Sequence, residues 1–176
     1  MNYGKIFYCD IANGIGIRTS FFVSGCRNHC EGCFNPETWD FSYGKRFDRG
    51  VEDELIKSLQ SEYTDGISIL GGEPMEPENQ KDILHLIKRI REECPKKTIW
   101  VYSGFTYEEL TSKDPAIRCV TEYTEEILKN IDILVDGKFV LARKNISLRF
   151  RGSSNQRIID VPASLAAHDV VLSEYM

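Results

Sequence analysis

Apolar residues recur with two different periods along this chain, and the switches between them mark its elements. In GVEDELIKSLQSEY (50–63), Val51, Leu55 and Leu59 fall on one helical face and acidic residues crowd the first turn, which predicts an amphipathic helix. EPENQKDILHLIKRIREEC (76–94) predicts a second, with Ile83, Leu86, Ile87 and Ile90 as its apolar stripe and Pro95 beyond its end. TEEILKN (124–130) predicts a shorter helical segment. Five runs rich in β-branched and aromatic residues read as strands: KIFYCDI (5–11), IRTSFFVSG (17–25), GISILGG (66–72), KTIWVYSG (97–104) and IDILVDG (131–137). The first two are separated only by ANGIG (12–16). After residue 137 the pattern breaks into short pieces, of which QRIIDV (156–161) and HDVVLSE (168–174) read as strands.

After an opening strand pair, strands alternate with helices, so the expected fold is α/β with a mainly parallel sheet. With no repeat, low-complexity tract or Pro/Ser-rich linker, residues 1–176 are expected to form one domain. Each strand ends in glycines or turn residues: SGC, LGGEP, YSGF and VDGKF. In parallel α/β folds the carboxyl ends of the strands form the binding edge, so these four turns are expected to gather on one side.

Charge and composition then narrow the function classes. Net charge is −5, which argues against a general nucleic-acid binder. The charge is uneven, however: Lys138, Arg143, Lys144, Arg149, Arg151 and Arg157 lie in a stretch without an acidic residue, while the remainder carries 16 basic against 27 acidic residues. That stretch reads either as a solvated basic face or as a docking patch. No run approaches the ~18 apolar residues of a membrane span and no secretion pattern opens the chain, so the expected compartment is the cytoplasm, without membrane partners. Reduced cytosolic thiols that cluster hold metal or do redox chemistry more often than they pair.

Three of the six cysteines do cluster. SGCRNHCEGCFN (24–35) places Cys26, Cys30 and Cys33 directly after a strand. Three thiolates suit a zinc ion completed by a fourth ligand such as His29 or Cys9. His29 is adjacent to Cys30 and poorly placed to share one metal with it, and the three thiolates suit better a four-iron cluster with one iron left open. The other cysteines, Cys9, Cys94 and Cys119, are scattered and read as buried or inert thiols. In LGGEP (70–74), paired glycines permit close approach of a ligand to the backbone, and Pro74 fixes the exit. GIGIR (14–18) fails as a dinucleotide loop because it precedes a strand and lacks the third glycine. His85 lies off the apolar stripe of its helix, and His168 carries no chemistry. No paired carboxylates or nucleophile–base set stands out.

The order Cys26, Cys30, Cys33, then Gly71-Gly72-Glu73-Pro74, resembles the radical S-adenosylmethionine superfamily. Within it, GIGIRTSFFVSGCRNHCEGCFNPETWDF, YSGF, VDGKF and LRFRGSSNQRIIDV are similar to the glycyl-radical activating enzymes that serve anaerobic ribonucleotide reductases. The resemblance implies a 4Fe-4S cluster on the three cysteines whose open iron chelates the methionine group of S-adenosylmethionine. Reductive cleavage then yields a 5′-deoxyadenosyl radical that takes a hydrogen atom from a glycine of the reductase large subunit. It implies that Gly71, Gly72 and Glu73 hold the methionine amino group, and that the backbone of Gly32, Cys33 and Phe34 lies beside the adenine. Ser103 and Lys138 are expected near the methionine carboxylate or ribose. No catalytic residue beyond cluster and cofactor is implied, because the cofactor supplies the radical chemistry. An electron donor such as flavodoxin is implied as a second partner.

A full (β/α)8 barrel takes about 250 residues, so a chain of 176 is expected to build a partial, open barrel of the superfamily's type, closed by its protein substrate. Two other readings share the motifs: an activase of a different glycyl-radical enzyme, or a small-molecule enzyme of the superfamily. A zinc-stabilised, non-catalytic binding module is the alternative from another class. Ser153 to Gln156 receive no role, and a side chain placed at Gly72 is expected to weaken cofactor binding while leaving the cluster intact. Replacing Cys26, Cys30 or Cys33 by Ala is expected to abolish iron binding. The same change at Cys9, Cys94 or Cys119 keeps it, as iron and sulfide analysis of anaerobically reconstituted protein will show.

Overall fold

Side chains alternate across each strand, and the sheet so formed separates two unlike environments. The computed structural model describes residues 1–176. Its strands are β1 (Asn2–Asp10), β2 (Arg18–Val23), β3 (Lys45–Arg46), β4 (Gly66–Gly71), β5 (Thr98–Tyr102), β6 (Ile133–Asp136) and β7 (Arg157–Asp160). Its helices are α1 (Arg49–Leu59), α2 (Pro77–Glu93), α3 (Tyr107–Leu110), α4 (Thr124–Lys129) and α5 (Val161–Ala167). Single 3₁₀ turns lie at Pro36–Trp39 and Leu141–Arg143.

One face carries Phe21, Val23, Ile67, Ile69, Ile99, Val101, Leu134 and Ile159 into a core of 27 buried residues. The helices cover that face through Leu55 and Leu59 of α1, the stripe Ile83, Leu86, Ile87 and Ile90 of α2, and Ile127 of α4. His85 stays on the outside of α2, beside Glu52 at 3.3 Å. The opposite face presents Trp100, Ile133, Val135 and Ile158 as a separate small cluster, with Tyr102, Phe150 and Tyr175 packed against it. This second face has no helix among those packing residues, and it is where the functional cavity opens.

The sheet has seven strands in the order β3-β1-β2-β4-β5-β6-β7. The four central strands β2, β4, β5 and β6 are parallel. Both flanks are antiparallel, β3 and β1 on one side and β7 on the other. The expected α/β fold with a mostly parallel sheet is therefore present, as a mixed sheet whose antiparallel strands lie at its flanks. The turn from β1 to β2 is too short for a crossover, which forces an antiparallel hairpin, and the segment 137–156 contains no α-helix with which to cross back. The sheet is open, ending at β3 and β7.

Four elements differ from the sequence expectation, the two-residue β3 being one. HDVVLSE forms no strand, only an isolated bridge between Leu172 and Ile159. Ahead of it VPASLAA forms α5, where the Asp160 side chain accepts from the Ala163 amide at 2.9 Å and His168 ends the helix in the left-handed conformation. This helix shows no apolar stripe in sequence because it is short and rich in Ala and Ser. α3 is a single turn held by a reciprocal cap between Thr106 and Glu109.

At the amino end of the parallel strands Arg18 is wholly buried without a carboxylate partner. Its guanidinium donates to Ser68 Oγ (2.8 Å), Thr98 Oγ1 (2.9 Å), Ile67 O (2.7 Å), Thr98 O (3.0 Å) and Ile15 O (3.2 Å), and lies over the Trp100 ring. Burial lowers its pKa to about 10, still charged at neutral pH. Arg18 thus ties β2, β4 and β5 together where the sheet has no helix above it. Arg18→Met keeps the volume but strands these acceptors, and is expected to cost about 3 kcal/mol in urea unfolding. A loss below about 1 kcal/mol would show that water replaces the guanidinium.

Candidate active site

The turns after β2, β4, β5 and β6 meet around one cavity of about 500 Å³. Its wall includes Cys26, Cys30 and Cys33 from the first turn, Gly71, Gly72 and Glu73 from the second, Ser103 and Gly104 from the third, and Gly137 from the fourth. The common edge expected from element order is therefore present.

The thiol loop is fastened from below by backbone contacts. Gly25 N donates to Thr38 O at 2.8 Å and Cys26 N to Trp39 O at 3.1 Å, so the 3₁₀ turn at Pro36–Trp39 supports the first cysteine. From the other side, Gly72 N donates to Val23 O and Glu73 N to Gly25 O, both at 2.8 Å. Gly71 adopts φ +109°, a region that disfavours side chains. A Cβ at Gly72 would stand 2.7 Å from Gly25 O and 3.0 Å from Thr38 O. These glycines are demanded first by the contact between two loops, a reason that their spacing in sequence does not reveal.

Glu73 is buried and its carboxylate is fully engaged. Oε1 accepts from the Met75 amide (3.0 Å) and the Ser103 hydroxyl (2.8 Å); Oε2 accepts from the Gly104 amide (2.6 Å) and the Asn28 side chain (3.0 Å). Burial pushes its pKa up to about 7 against the pull of these donors. Ser103 is accordingly committed to Glu73 and to the Phe105 amide. A second buried carboxylate, Glu76, accepts from the Arg27 amide and guanidinium, each at 2.9 Å, and pairs with Arg118 at 3.2 Å. Arg118 also donates to Asn28 Oδ1 at 3.1 Å. Arg27, Asn28, Glu76 and Arg118 thus hold the loop between its cysteines. Sequence reasoning missed them because partners more than 40 positions apart carry no common motif.

All six cysteines are free. Cys26 is buried, and burial pushes its thiol up to about 11; burial raises Cys30 as well. Such thiols ionise when a metal takes the place of the proton. No group of three or more His, Cys, Asp or Glu side chains is drawn around a single metal ion. His29 is stacked on Trp39 (centroids 4.6 Å, 8° between planes), and Cys9 is exposed on β1 and outside the cavity wall, so neither stands as a fourth ligand. Cys94 and Cys119 are buried, as one form of the expectation has it, whereas Cys9 is exposed. A wall offering three thiols on one loop and no imidazole fits an iron–sulfur cluster, whose thiolates each bind a separate iron.

The remaining expected residues divide. Phe34 lines the cavity but is held edge-on by Phe139 at 5.4 Å, with Lys144 Nζ 5.2 Å from its ring. Gly32 is exposed and outside the wall, where a Cβ would meet Leu141 at 2.9 Å. Lys138 is also exposed and outside it, although its charge reaches Cys30. Within the basic stretch, Arg157 pairs with Asp136 and Glu108, and Arg151 donates to Gln156 O at 2.8 Å. Lys138, Arg143, Lys144 and Arg149 remain exposed, beside the exposed Leu141 and Ile146. Ser153 to Gln156 now have a structural account: the Gln156 side chain accepts from the Gly152 and Ser153 amides and donates to Gly137 O at 3.0 Å, bracing the last turn.

A protein with its thiols on one such loop falls into a recognised class, since a family model described as a 4Fe-4S single cluster domain matches residues 12–159. The anaerobic ribonucleoside-triphosphate reductase-activating protein of Escherichia coli K12 is 43% identical over 158 residues, covering 89% of this chain and 96% of that protein. The protein of the same name from Vibrio cholerae is 40% identical over 160 residues (90% and 97%), and that of phage T4 is 34% identical over 171 residues (96% and 100%). The chain belongs to this family of reductase-activating proteins.

The contact at Gly72 changes what its substitution does. Gly72→Val drives a side chain into the carbonyls of Gly25 and Thr38 and displaces the Cys26 turn. It is therefore expected to lower iron occupancy together with cofactor affinity, measured by iron analysis and by titration with S-adenosylmethionine. A full cluster in this variant would restore the simpler expectation drawn from sequence.

Proposed function

We propose that this chain activates an anaerobic ribonucleotide reductase by generating a glycyl radical on the large subunit, using S-adenosylmethionine and a 4Fe-4S cluster on Cys26, Cys30 and Cys33. The observation that carries this reading is the convergence of the three-thiol loop and the Gly71-Gly72-Glu73 turn in one cavity. When bound, cluster and cofactor supply one-electron cleavage of the sulfonium and abstraction of a hydrogen atom from glycine.

The protein's own residues position and enclose. Glu73, through Asn28 and Gly104, fixes the spacing between the thiol loop and the β4 and β5 turns. The methionine group is received by the backbone of the Gly71–Gly72 turn, since the Glu73 carboxylate already has four donors. Phe34 and Phe139 form the aromatic side of the cavity for the adenine. The open sheet serves as the partial barrel of the radical S-adenosylmethionine type, and the reductase completes its wall. Lys138, Arg143, Lys144 and Arg149 offer that partner a basic border in an otherwise acidic protein. Flavodoxin or a similar low-potential donor supplies the electron, in the cytoplasm. No helix is long and apolar enough to cross a membrane.

Glycine suits the role of target, because its Cα radical becomes planar and delocalises into both flanking amides. Mixed anaerobically with reductant, S-adenosylmethionine and an anaerobic ribonucleotide reductase, the protein is expected to produce a doublet electron paramagnetic resonance signal on the reductase. Changing the acceptor glycine to Ala removes it. Cofactor cleavage without a radical on a reductase that binds would move the function to another substrate.

A further inference from the structure

Along an unbroken strand, residues i and i+2 share a face, and β1 breaks that rule once. Tyr3 lies opposite Val23 and belongs to the core on the helix-covered face. Two residues on, Lys5 lies opposite Phe22, because the register shifts by one residue between Tyr3 and Lys5. Gly4 is the extra residue of this bulge, and without it Lys5 would follow Tyr3 toward the core. The bulge turns Lys5 onto the helix-free face, where it joins Phe22 and Leu70 in the cavity wall.

There the side chain is half-buried and held in place. Its ammonium lies 4.7 Å from the centre of the Phe22 ring and 5.2 Å from that of Phe7, and donates to Asn35 Oδ1 at 3.3 Å. An ammonium has three N–H groups, so two remain for a guest. Glu73, the only carboxylate of the wall, is taken by its four donors, so no group of the wall neutralises this ammonium. The wall's other cation, Arg151, already donates to Gln156 O at 2.8 Å.

We propose that Lys5 is a carboxylate-binding residue of the cavity. This rests on the proposed function, whose two guests, a cofactor ending in an amino acid and a peptide segment, carry negative charge as carboxylates. Within a partly enclosed cavity an ion pair is screened less than on open surface, so one well-placed ammonium suffices to orient such a group. The bond to Asn35, whose own amide donates to Cys33 Sγ at 3.4 Å, sets Lys5 beside the thiol loop. The carboxylate it takes therefore lies at the end of the cavity where the cluster is held.

The test is Lys5→Met, which keeps an apolar stem on Phe22 and removes the charge. The apo variant is expected to unfold at the wild-type temperature. Cluster-loaded protein is titrated with S-adenosylmethionine and then, saturated with it, with the reductase large subunit. One of the two dissociation constants is expected to rise about tenfold and to depend less on salt, as loss of an ion pair requires. A rise for S-adenosylmethionine assigns the carboxylate to the cofactor, and a rise confined to the reductase assigns it to an acidic residue of the inserted segment. Lys5→Arg, which keeps the charge, is expected to retain most of the affinity. Two unchanged constants overturn the inference, and a lower unfolding temperature overturns it too by making Lys5 structural. Failure of the wild-type protein to bind either guest instead sinks the proposed function, so the two failures are distinct.

Discussion

The site depends on one buried carboxylate. Glu73 receives four donors from three different turns, and through them the thiol loop, the β4 turn and the β5 turn become one unit. A carboxylate removed from water is costly unless such donors surround it, and here each donor comes from a chain segment that must otherwise be held by weak loop contacts. The neighbouring Glu76 does the same for Arg27 and Arg118. The acids commonly read as ligand-binding groups are, in this protein, the internal ties that give a mobile-looking loop a fixed shape.

Much of the fold could be read from periodicity, because burial on one face imposes it. The α2 stripe of Ile83, Leu86, Ile87 and Ile90 is wholly buried, and the central strands begin and end within two or three residues of the runs that announced them. What escaped was set by other forces. α5 is specified by the Asp160 cap and the first-turn Pro162 rather than by an apolar face. β7 returns antiparallel because of a connection whose conformation depends on Gln156 bracing Gly137. At the site, the cysteines and the glycine turn were legible because their chemistry demands fixed spacing. Asn28, Glu76 and Arg118 were not, since each gains its meaning only from a partner brought near by folding.

Gly32 and Lys138 stand at the rim of the cavity and not in its wall. Both belong to turns at the cavity, yet both face outward, Gly32 against Leu141 and Lys138 to solvent. The segment 139–144 borders the cavity's aromatic side, where Phe139 and Lys144 engage Phe34. Their surroundings are therefore those of a solvent-facing rim, which the thiol loop shares.

An unclosed sheet leaves two free edges, and this chain answers the hazard of edge-to-edge polymerisation at each. β3 offers only two residues, Lys45 and Arg46, both exposed and charged, a poor template for another strand. β7 is masked differently: Leu172 bridges Ile159, and Ser173 and Asp160 add backbone bonds between the final segment and the strand. The sheet thus stays unclosed while neither of its edges offers a long bare strand to a second copy.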